Sequence, residues 1–341
     1  LQLPVEDWMK LVPAALLSVE ALALFAIGGK LGLAPRTSFL AVLLHASARV
    51  LAFRLAVASY AALFGHFWDM LAVLYIAFFF ERLHRPWYGA GLGLLVAISI
   101  LSYAGSVLTL GLFVPLLGIA VLLTRAGRPS TVLALTLWPL AGALLAAFLF
   151  YVSYLPELLG TSAANVAPSA DSGFSGLVEL KLTPGAALAM AFYRLRLFYA
   201  WPYTLVSLAL LAGFFARRGR GALPLALPLA LAASATYLGM NFLRAGLGST
   251  HIFQFSKDDL VILPVVALLL GGFVGALWGK GRGAQAVALA LLLGWIGWGL
   301  SSLARDVEGR FRRPGYPPSP GSGGQVQEAK TTRLPPARFA S

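Results

Sequence analysis

The sequence of 341 residues contains no cysteine, and only 11% of its residues are charged. The absence of cysteine excludes disulfides and thiolate metal sites. Soluble domains carry about 25% charged residues, so the low charge excludes a water-soluble fold. A Walker A loop, a GxSxG elbow and an HExxH helix are also missing, which excludes the enzyme classes that depend on those motifs.

Long apolar runs take up most of the chain instead, and 59% of the residues are hydrophobic. About 20 apolar residues are enough to cross the hydrocarbon layer of a membrane. The sequence therefore predicts an all-α, polytopic protein of the cell membrane with a transmembrane domain over residues 1–302. The Pro/Gly/Ser-rich segment 303–341 is predicted to be a disordered tail. Ten apolar segments can be marked: 9–29, 37–64, 67–80, 88–104, 107–124, 131–152, 203–216, 222–241, 260–279 and 284–302.

Two of these regions are open to more than one interpretation. Segment 37–64 is long and is predicted to break near Arg49 into a span and an interfacial helix. Segments 88–104 and 107–124 are short and separated by Gly105, which is compatible with two spans or with a re-entrant hairpin. Counting them as two spans gives a consistent alternation of the loops.

The net charge of +13 is concentrated in short loops. This pattern indicates cytoplasmic loops of a membrane protein and not a nucleic-acid partner, because basic residues gather in such loops. The other, extracytoplasmic face would then carry residues 1–8, the loops 49–69, 153–202 and 242–259, and the tail. The basic residues in question are Lys30, Arg36, Arg82, Arg85, Arg125, Arg128, Arg217, Arg218, Arg220, Lys280 and Arg282.

The stretch GHFWD at residues 65–69 carries the first candidate site. Gly65 is predicted to end one helix and Asp69 to lie in the first turn of the next. The carboxylate could simply cap that helix, with His66 as an ordinary interfacial residue. The alternative is a catalytic pair of Asp69 and His66, with Asp69 also binding a metal ion. Arg49 and Arg54 lie just upstream and would bind a charged substrate, because ionisable residues at membrane depth usually face a protein interior or a wet cavity.

The stretch STHIFQFSKDDLVILP at residues 249–264 carries the second candidate site. Arg244, His251 and Lys257 precede an apolar helix and could bind the phosphate of an anionic lipid. The alternative is a solvated interfacial turn in which the two aspartates cap the helix.

Glu20, inside the first apolar segment, could be a functional intramembrane acid. An acid near the interface can also extend its carboxylate towards water, so no role is assigned to Glu20.

The order of these features resembles that of the GT-C membrane glycosyltransferases, a family similar to the protein mannosyltransferases and aminoarabinose transferases that use polyprenyl-phosphate sugars. Residues 7–47 resemble the second and third membrane helices of that family, joined by a short basic turn. GHFWD and the apolar run after it resemble the second outer loop leading into the fourth helix. The resemblance covers most of residues 7–302 and is carried by DWMKLVPAALLSVEALALFAIGGKLGLAPRTSFLAVLLHAS, YAALFGHFWDMLAVLYIAFFF, GLGLLVAISILSYAGSVLTLGLFVPLL and FSKDDLVILPVVALLLGG.

The resemblance implies an inverting enzyme that moves a sugar from a polyprenyl-phosphate carrier to a glycan, lipid or protein acceptor on the extracytoplasmic face. It also implies a possible divalent metal ion, Mg²⁺ or Mn²⁺. Asp69 matches the acid of the second outer loop, and Lys257 is similar to carrier-phosphate contacts. The main catalytic Asp of the family lies in the first outer loop, and this sequence starts near the end of that loop with LQLPVED. We therefore expect the N-terminal helix and first outer loop to be missing.

Two other functions remain open at this point. A non-catalytic GT-C-like subunit would have the same helices without the catalytic acid. A transporter or flippase of lipid-linked sugars would show internal repeats and helices broken at the bilayer midplane. No repeat is evident in the sequence.

Overall fold

The computed structural model describes residues 5–56, 60–152, 184–216, 225–247 and 258–311. Twelve α-helices account for nearly all of these residues, and none of the described residues lies in a β-strand. The helices are α1 (Val5–Lys30), α2 (Pro35–Ala46), α3 (Arg49–Ala56), α4 (Tyr60–Phe79), α5 (Pro86–Ser102), α6 (Gly105–Thr124), α7 (Pro129–Ala146), α8 (Pro184–Tyr199), α9 (Trp201–Ala216), α10 (Ala226–Leu247), α11 (Asp258–Trp278) and α12 (Arg282–Phe311).

Seven helical stretches in the described part of the chain are long and apolar enough to cross a membrane, which makes the protein an all-α polytopic membrane protein. An eighth span is possible if α8 and α9, which meet at a bend of 118°, are counted as one broken span. The seven stretches are Leu11–Lys30, Ala61–Arg82, Gly105–Thr124, Pro129–Phe150, Ala226–Leu243, Leu260–Trp278 and Arg282–Arg305.

The predicted number of ten apolar segments is therefore too high as a number of spans. Segment 37–64 does break near Arg49, but α2 has only 12 residues and the end of the segment belongs to α4. Segment 88–104 forms α5, an apolar helix of 17 residues, and segment 203–216 is part of the bent pair. A helix needs about 20 residues to span the hydrocarbon layer without help from neighbours.

Two predicted loops also contain helix. The predicted outer loop 49–69 consists largely of α3 and the first half of α4, and α8 lies within the predicted loop 153–202. The third predicted loop, 242–259, begins with the end of α10 and ends with the start of α11. Its residues 248–257 are not among the described residues. Helix α12 continues to Phe311 and so includes the first nine residues of the predicted tail. Residues 312–341 lie outside the described residues.

Contacts between side chains place the basic turns at one end of the helix bundle. The Lys30 ammonium lies 5.7 Å from the centre of the Phe78 ring near the end of α4. A Cβ added to Gly127, in the turn between α6 and α7, would lie 2.9 Å from the Phe80 ring. Similarly, a Cβ on Gly275 near the end of α11 would lie 2.6 Å from Thr37 Oγ1. Four of the five basic turns thus share one end, here called the basic end, and the fifth lies outside the described residues.

Proline and positive φ angles explain how these turns are built. Helices α2, α5 and α7 each begin at a proline, whose fixed φ and missing N–H suit the first helical position. These residues are Pro35, Pro86 and Pro129. Gly32 with a φ of 78° and Arg125 with a φ of 54° end the preceding helices in the left-handed conformation. The short turns keep the basic residues close to the membrane-spanning helices.

Candidate functional site

The candidate site begins with helix α4, which runs without a break from Tyr60 to Phe79. The prediction that Gly65 ends a helix and that Asp69 starts the next one is therefore wrong. Asp69 is the tenth residue of α4 and is only 5% exposed, and His66 is 1% exposed. Because Asp69 lies in the helix interior, it does not cap a helix, and the interpretation of Asp69 as a helix cap is wrong. The burial of His66 disfavours its interpretation as an ordinary interfacial residue.

His66 belongs to a buried cluster with Glu20 of α1 and His45 of α2. Glu20 Oε1 lies 3.1 Å from His45 Nε2 and 3.1 Å from His66 Nε2. All three residues are at most 1% exposed. One carboxylate oxygen thus faces two imidazole nitrogens from two other helices. We call Glu20, His45 and His66 the polar cluster.

Asp69 contacts a different residue, Ser99 of α5. The Ser99 hydroxyl donates a hydrogen bond to Asp69 Oδ1. Ser99 Oγ also lies 3.4 Å from the carbonyl oxygen of Gly65, one turn earlier on α4. Ser99 is fully buried. Helices α4 and α5 are therefore joined by a polar contact one helical turn away from the polar cluster.

These polar groups lie at mid-depth in the bundle. Glu20 precedes Lys30 by ten residues and Asp69 precedes Arg82 by thirteen. At 1.5 Å per helical residue, this puts them roughly 15 and 20 Å from the basic end. The hydrocarbon core of a bilayer is about 30 Å thick. If the basic end lies at one membrane surface, the polar cluster and Asp69 fall at the depth of the membrane interior, where ionisable groups are usually paired or functional.

An apolar cavity of about 240 Å³ adjoins these residues. It lies between α1, α4, α6, α9, α10 and α11, and its lining is apolar except near His66, Asp69 and Thr109. Leu31 and Leu33, beside a basic turn, line it as well. The cavity thus extends from the neighbourhood of the basic end towards His66 and Asp69.

The two predicted arginines are not part of this cavity. Arg49 Nη1 donates a hydrogen bond of 2.7 Å to the carbonyl oxygen of Leu197 in α8, and its guanidinium lies 5.8 Å from the ring centre of Trp298 in α12. These contacts connect α3 to two other helices. Neither Arg49 nor Arg54 is among the described residues that line the cavity. Substrate binding by the two arginines stays a prediction.

The predicted phosphate site falls outside what the structure describes. His251 and Lys257 lie in the segment 248–257, and the Arg244 side chain is likewise not described. Arg244 lies in the last turn of α10, which ends at Leu247, and α11 starts at Asp258. Binding of a lipid phosphate by these three residues stays a prediction.

Sequence reasoning missed the main partners of His66 and Asp69. Glu20 had no assigned role, and His45 and Ser99 had not been singled out. The available signal was the presence of ionisable residues inside apolar segments, since such residues are usually paired within a bundle. Which of them meet could not be read from the sequence, because Glu20, His45 and His66 come from three helices.

The arrangement allows two kinds of chemistry. A buried carboxylate beside imidazoles can accept and pass protons. The polar cluster could also hold a metal ion, since its three ligand atoms all lie within 4.8 Å of one another. Asp69 does not belong to that trio, so the predicted metal role of Asp69 gains no support from it. Comparison of the chain with protein-family models, curated proteins and solved structures found no match.

Proposed function

We propose that the protein is a membrane glycosyltransferase that moves a sugar from a polyprenyl-phosphate carrier to an acceptor. The observation that supports this most is the apolar cavity with His66 and Asp69 in its lining. An amphiphile with a long hydrocarbon chain and a reactive polar end needs a site of this kind: apolar walls for the chain and a few polar groups for the head. The sequence resemblance to the GT-C enzymes points in the same direction.

Asp69 would act as the base in this reaction. The acceptor hydroxyl attacks the anomeric carbon, its proton goes to the Asp69 carboxylate, and the carrier phosphate leaves with the electrons of the broken C–O bond. The Ser99 hydroxyl, which donates to Asp69 Oδ1, fixes the orientation of the carboxylate. A base positioned in this way typically contributes 10²–10⁴-fold to the rate.

The leaving phosphate needs positive charge. Of the predicted substrate-binding residues, Arg244 and Lys257 are the candidates for this role. Arg244 lies in the last turn of α10, and Lys257 directly precedes in sequence the start of α11 at Asp258, which is the end of α11 opposite Lys280. A charge-assisted contact of this type would stabilise the departing anion. The reaction would then take place in the half of the membrane opposite the basic end, on the extracytoplasmic side if the basic turns are cytoplasmic.

A transporter of lipid-linked sugars is the second candidate. Two observations favour it: the polar cluster lies at mid-depth in the helix bundle, and α8 and α9 meet at a bend of 118°. Broken helices and midplane ionisable groups are typical of secondary transporters. The transporter would move its ligand without forming a glycosidic bond, and a non-catalytic subunit would also lack transfer activity.

The test is a transfer assay with full-length protein in proteoliposomes. Polyprenyl-phosphate mannose and its aminoarabinose counterpart serve as donors, since the resemblance includes transferases for both sugars, and envelope extract serves as the acceptor source.

The variant Asp69→Asn keeps the shape of the side chain and can still accept a hydrogen bond from Ser99, but it removes the charge. Transfer by this variant should therefore fall by at least ~10²-fold. Glu81→Gln, at the exposed basic end, should leave transfer unchanged. Equal turnover by the Asn variant and the wild type would contradict the role of Asp69, and no transfer from either donor by the wild type would favour the transporter or subunit.

A further inference from the structure

We infer that Glu20, His45 and His66 form a binding site for one divalent transition-metal ion, with Zn²⁺ as the first candidate. This inference does not depend on the proposed glycosyl transfer, because it rests on the geometry and chemistry of the three side chains alone. It also differs from the sequence-based expectation of Mg²⁺ or Mn²⁺ at Asp69.

The distances within the polar cluster match those around a tetrahedral ion. Bonds of about 2.0–2.1 Å to nitrogen and oxygen put neighbouring ligand atoms of a tetrahedral Zn²⁺ site roughly 3.3 Å apart. Glu20 Oε1 lies 3.1 Å from each of the two Nε2 atoms. One potential ligand atom from each of the three residues lies within 4.8 Å of the other two. An ion could therefore be placed between the three atoms with small adjustments of the side chains.

The kinds of ligand atom decide which ions suit the site. Two imidazole nitrogens and one carboxylate oxygen form the donor set of several catalytic zinc sites, and iron enzymes use a similar set. Mg²⁺ prefers oxygen ligands in an octahedral arrangement, so a site with two nitrogens disfavours it. Three protein ligands leave a fourth position for water or a substrate atom. Because His66 also lines the cavity, that position could be reached from there.

Burial supports the same conclusion. Glu20 Oε2 is buried and has no hydrogen-bond partner among the described residues. A buried polar atom without a partner is costly, and a buried carboxylate needs a counter-charge. A divalent ion supplies that charge, and it can also be bound by the second carboxylate oxygen. The contact to both histidines alone leaves that oxygen unsatisfied.

The experiment measures metal content and metal coordination in the purified full-length protein. The protein is loaded with ZnSO₄, dialysed, and analysed by inductively coupled plasma mass spectrometry, with MgCl₂ loading in parallel. We expect about one Zn²⁺ per chain and no retained Mg²⁺. Loading with Co²⁺ should give the intense visible bands of a tetrahedral site. If the protein as isolated contains one iron or manganese ion per chain, the inferred metal site is supported, with that ion in place of Zn²⁺.

Matched variants connect the metal to these residues. Loss of a residue that only hydrogen-bonds to a metal ligand typically lowers metal affinity 10–100-fold. Glu20→Gln and His45→Asn each remove a ligand itself, so each should lower the affinity for Zn²⁺ by more than that. His84→Ala, an exposed histidine at the basic end, should retain the full zinc content. If a ligand variant does not fold, the wild type still decides the question through its melting temperature, which should rise with added ZnSO₄ and not with MgCl₂. Less than ~0.1 Zn²⁺ per chain, octahedral Co²⁺ bands and an unchanged melting temperature in the wild type would overturn the inference and leave a hydrogen-bonded proton relay.

Discussion

Two seams between helices in this protein are built in opposite ways. At the first seam, α1, α2 and α4 meet through the ionisable side chains of the polar cluster, with 3.1 Å between Glu20 Oε1 and each histidine Nε2. At the second seam, α5 and α7 meet at Gly93 and Gly142, where a Cβ on Gly142 would clash with the carbonyl group of Gly93. The first seam joins helices by close contacts between ionisable side chains, and the second by close contact of backbones.

The difference between the seams separates packing from function. Lipid tails are as apolar as leucine, so helices in a membrane need small residues or polar contacts to associate specifically. The second seam, formed at Gly93 and Gly142 and here called the glycine seam, associates α5 with α7 without an ionisable group. A carboxylate and two histidines are a costly way to obtain the same association, because each must be kept paired in the membrane interior. We therefore regard the glycine seam as structural and the polar cluster as the part of the bundle that serves a function.

The largest effect on stability is expected at the polar cluster. Glu20→Ala leaves two buried histidines without their shared partner, and losing one member of a buried pair typically costs about 3–5 kcal/mol. The free energy of unfolding, measured by SDS titration in mixed micelles, should fall by that amount. Glu81→Ala, on the exposed turn after α4, should change it by less than about 0.5 kcal/mol. Equal effects of both substitutions would show that the cluster is not a paired, buried unit.

A smaller effect is expected at the glycine seam. Gly142→Ala forces α5 and α7 apart, and overpacking of this kind typically costs about 1–3 kcal/mol. Gly111→Ala is the control: a Cβ there meets nothing within 4 Å, and alanine favours a helix by about 1 kcal/mol over glycine. The same titration should show opposite signs for the two substitutions. A destabilised Gly111→Ala variant or an unaffected Gly142→Ala variant would contradict the described seam.

The smallest effect is expected where a single neutral hydrogen bond joins two helices. Trp295 of α12 donates from Nε1 to the carbonyl oxygen of Leu44 in α2 at 2.8 Å. Trp295→Phe removes this bond, and interhelical hydrogen bonds in membranes contribute about 0.6–1.7 kcal/mol. Trp87→Phe, at a residue that is 88% exposed, is the control. If Trp295→Phe lowers the free energy of unfolding as much as Glu20→Ala does, a neutral hydrogen bond contributes as much stability as the polar cluster, and the proposed difference between them is wrong.

The helices were easier to predict than the site for a physical reason. A span must be apolar over the thickness of the membrane, so seven of the ten apolar segments could be read from the sequence as spans. The start of α4 was predicted wrongly because glycine often ends a helix. Glycine is nevertheless tolerated inside a helix, and the carbonyl oxygen of Gly65 lies beside Ser99 in this structure. The meeting of Glu20, His45 and His66 depends on the tertiary packing of three helices, which local sequence patterns do not encode.

The central claim, that the cavity beside His66 and Asp69 holds the hydrocarbon chain of a lipid carrier, can be tested most directly by binding. Polyprenyl phosphate is titrated into the full-length protein in nanodiscs and the complex is quantified by native mass spectrometry, with inorganic phosphate as the headgroup control. Gly272→Leu fills the cavity at a residue whose Cβ would meet nothing within 4 Å, and Gly297→Leu on α12 is the matched control outside the lining. We predict at least ~10-fold weaker binding to the Gly272→Leu variant, because the lost burial of even a few CH₂ groups at about 0.8 kcal/mol each is enough for that change. Equal binding of polyprenyl phosphate by the wild type and both variants would contradict the claim.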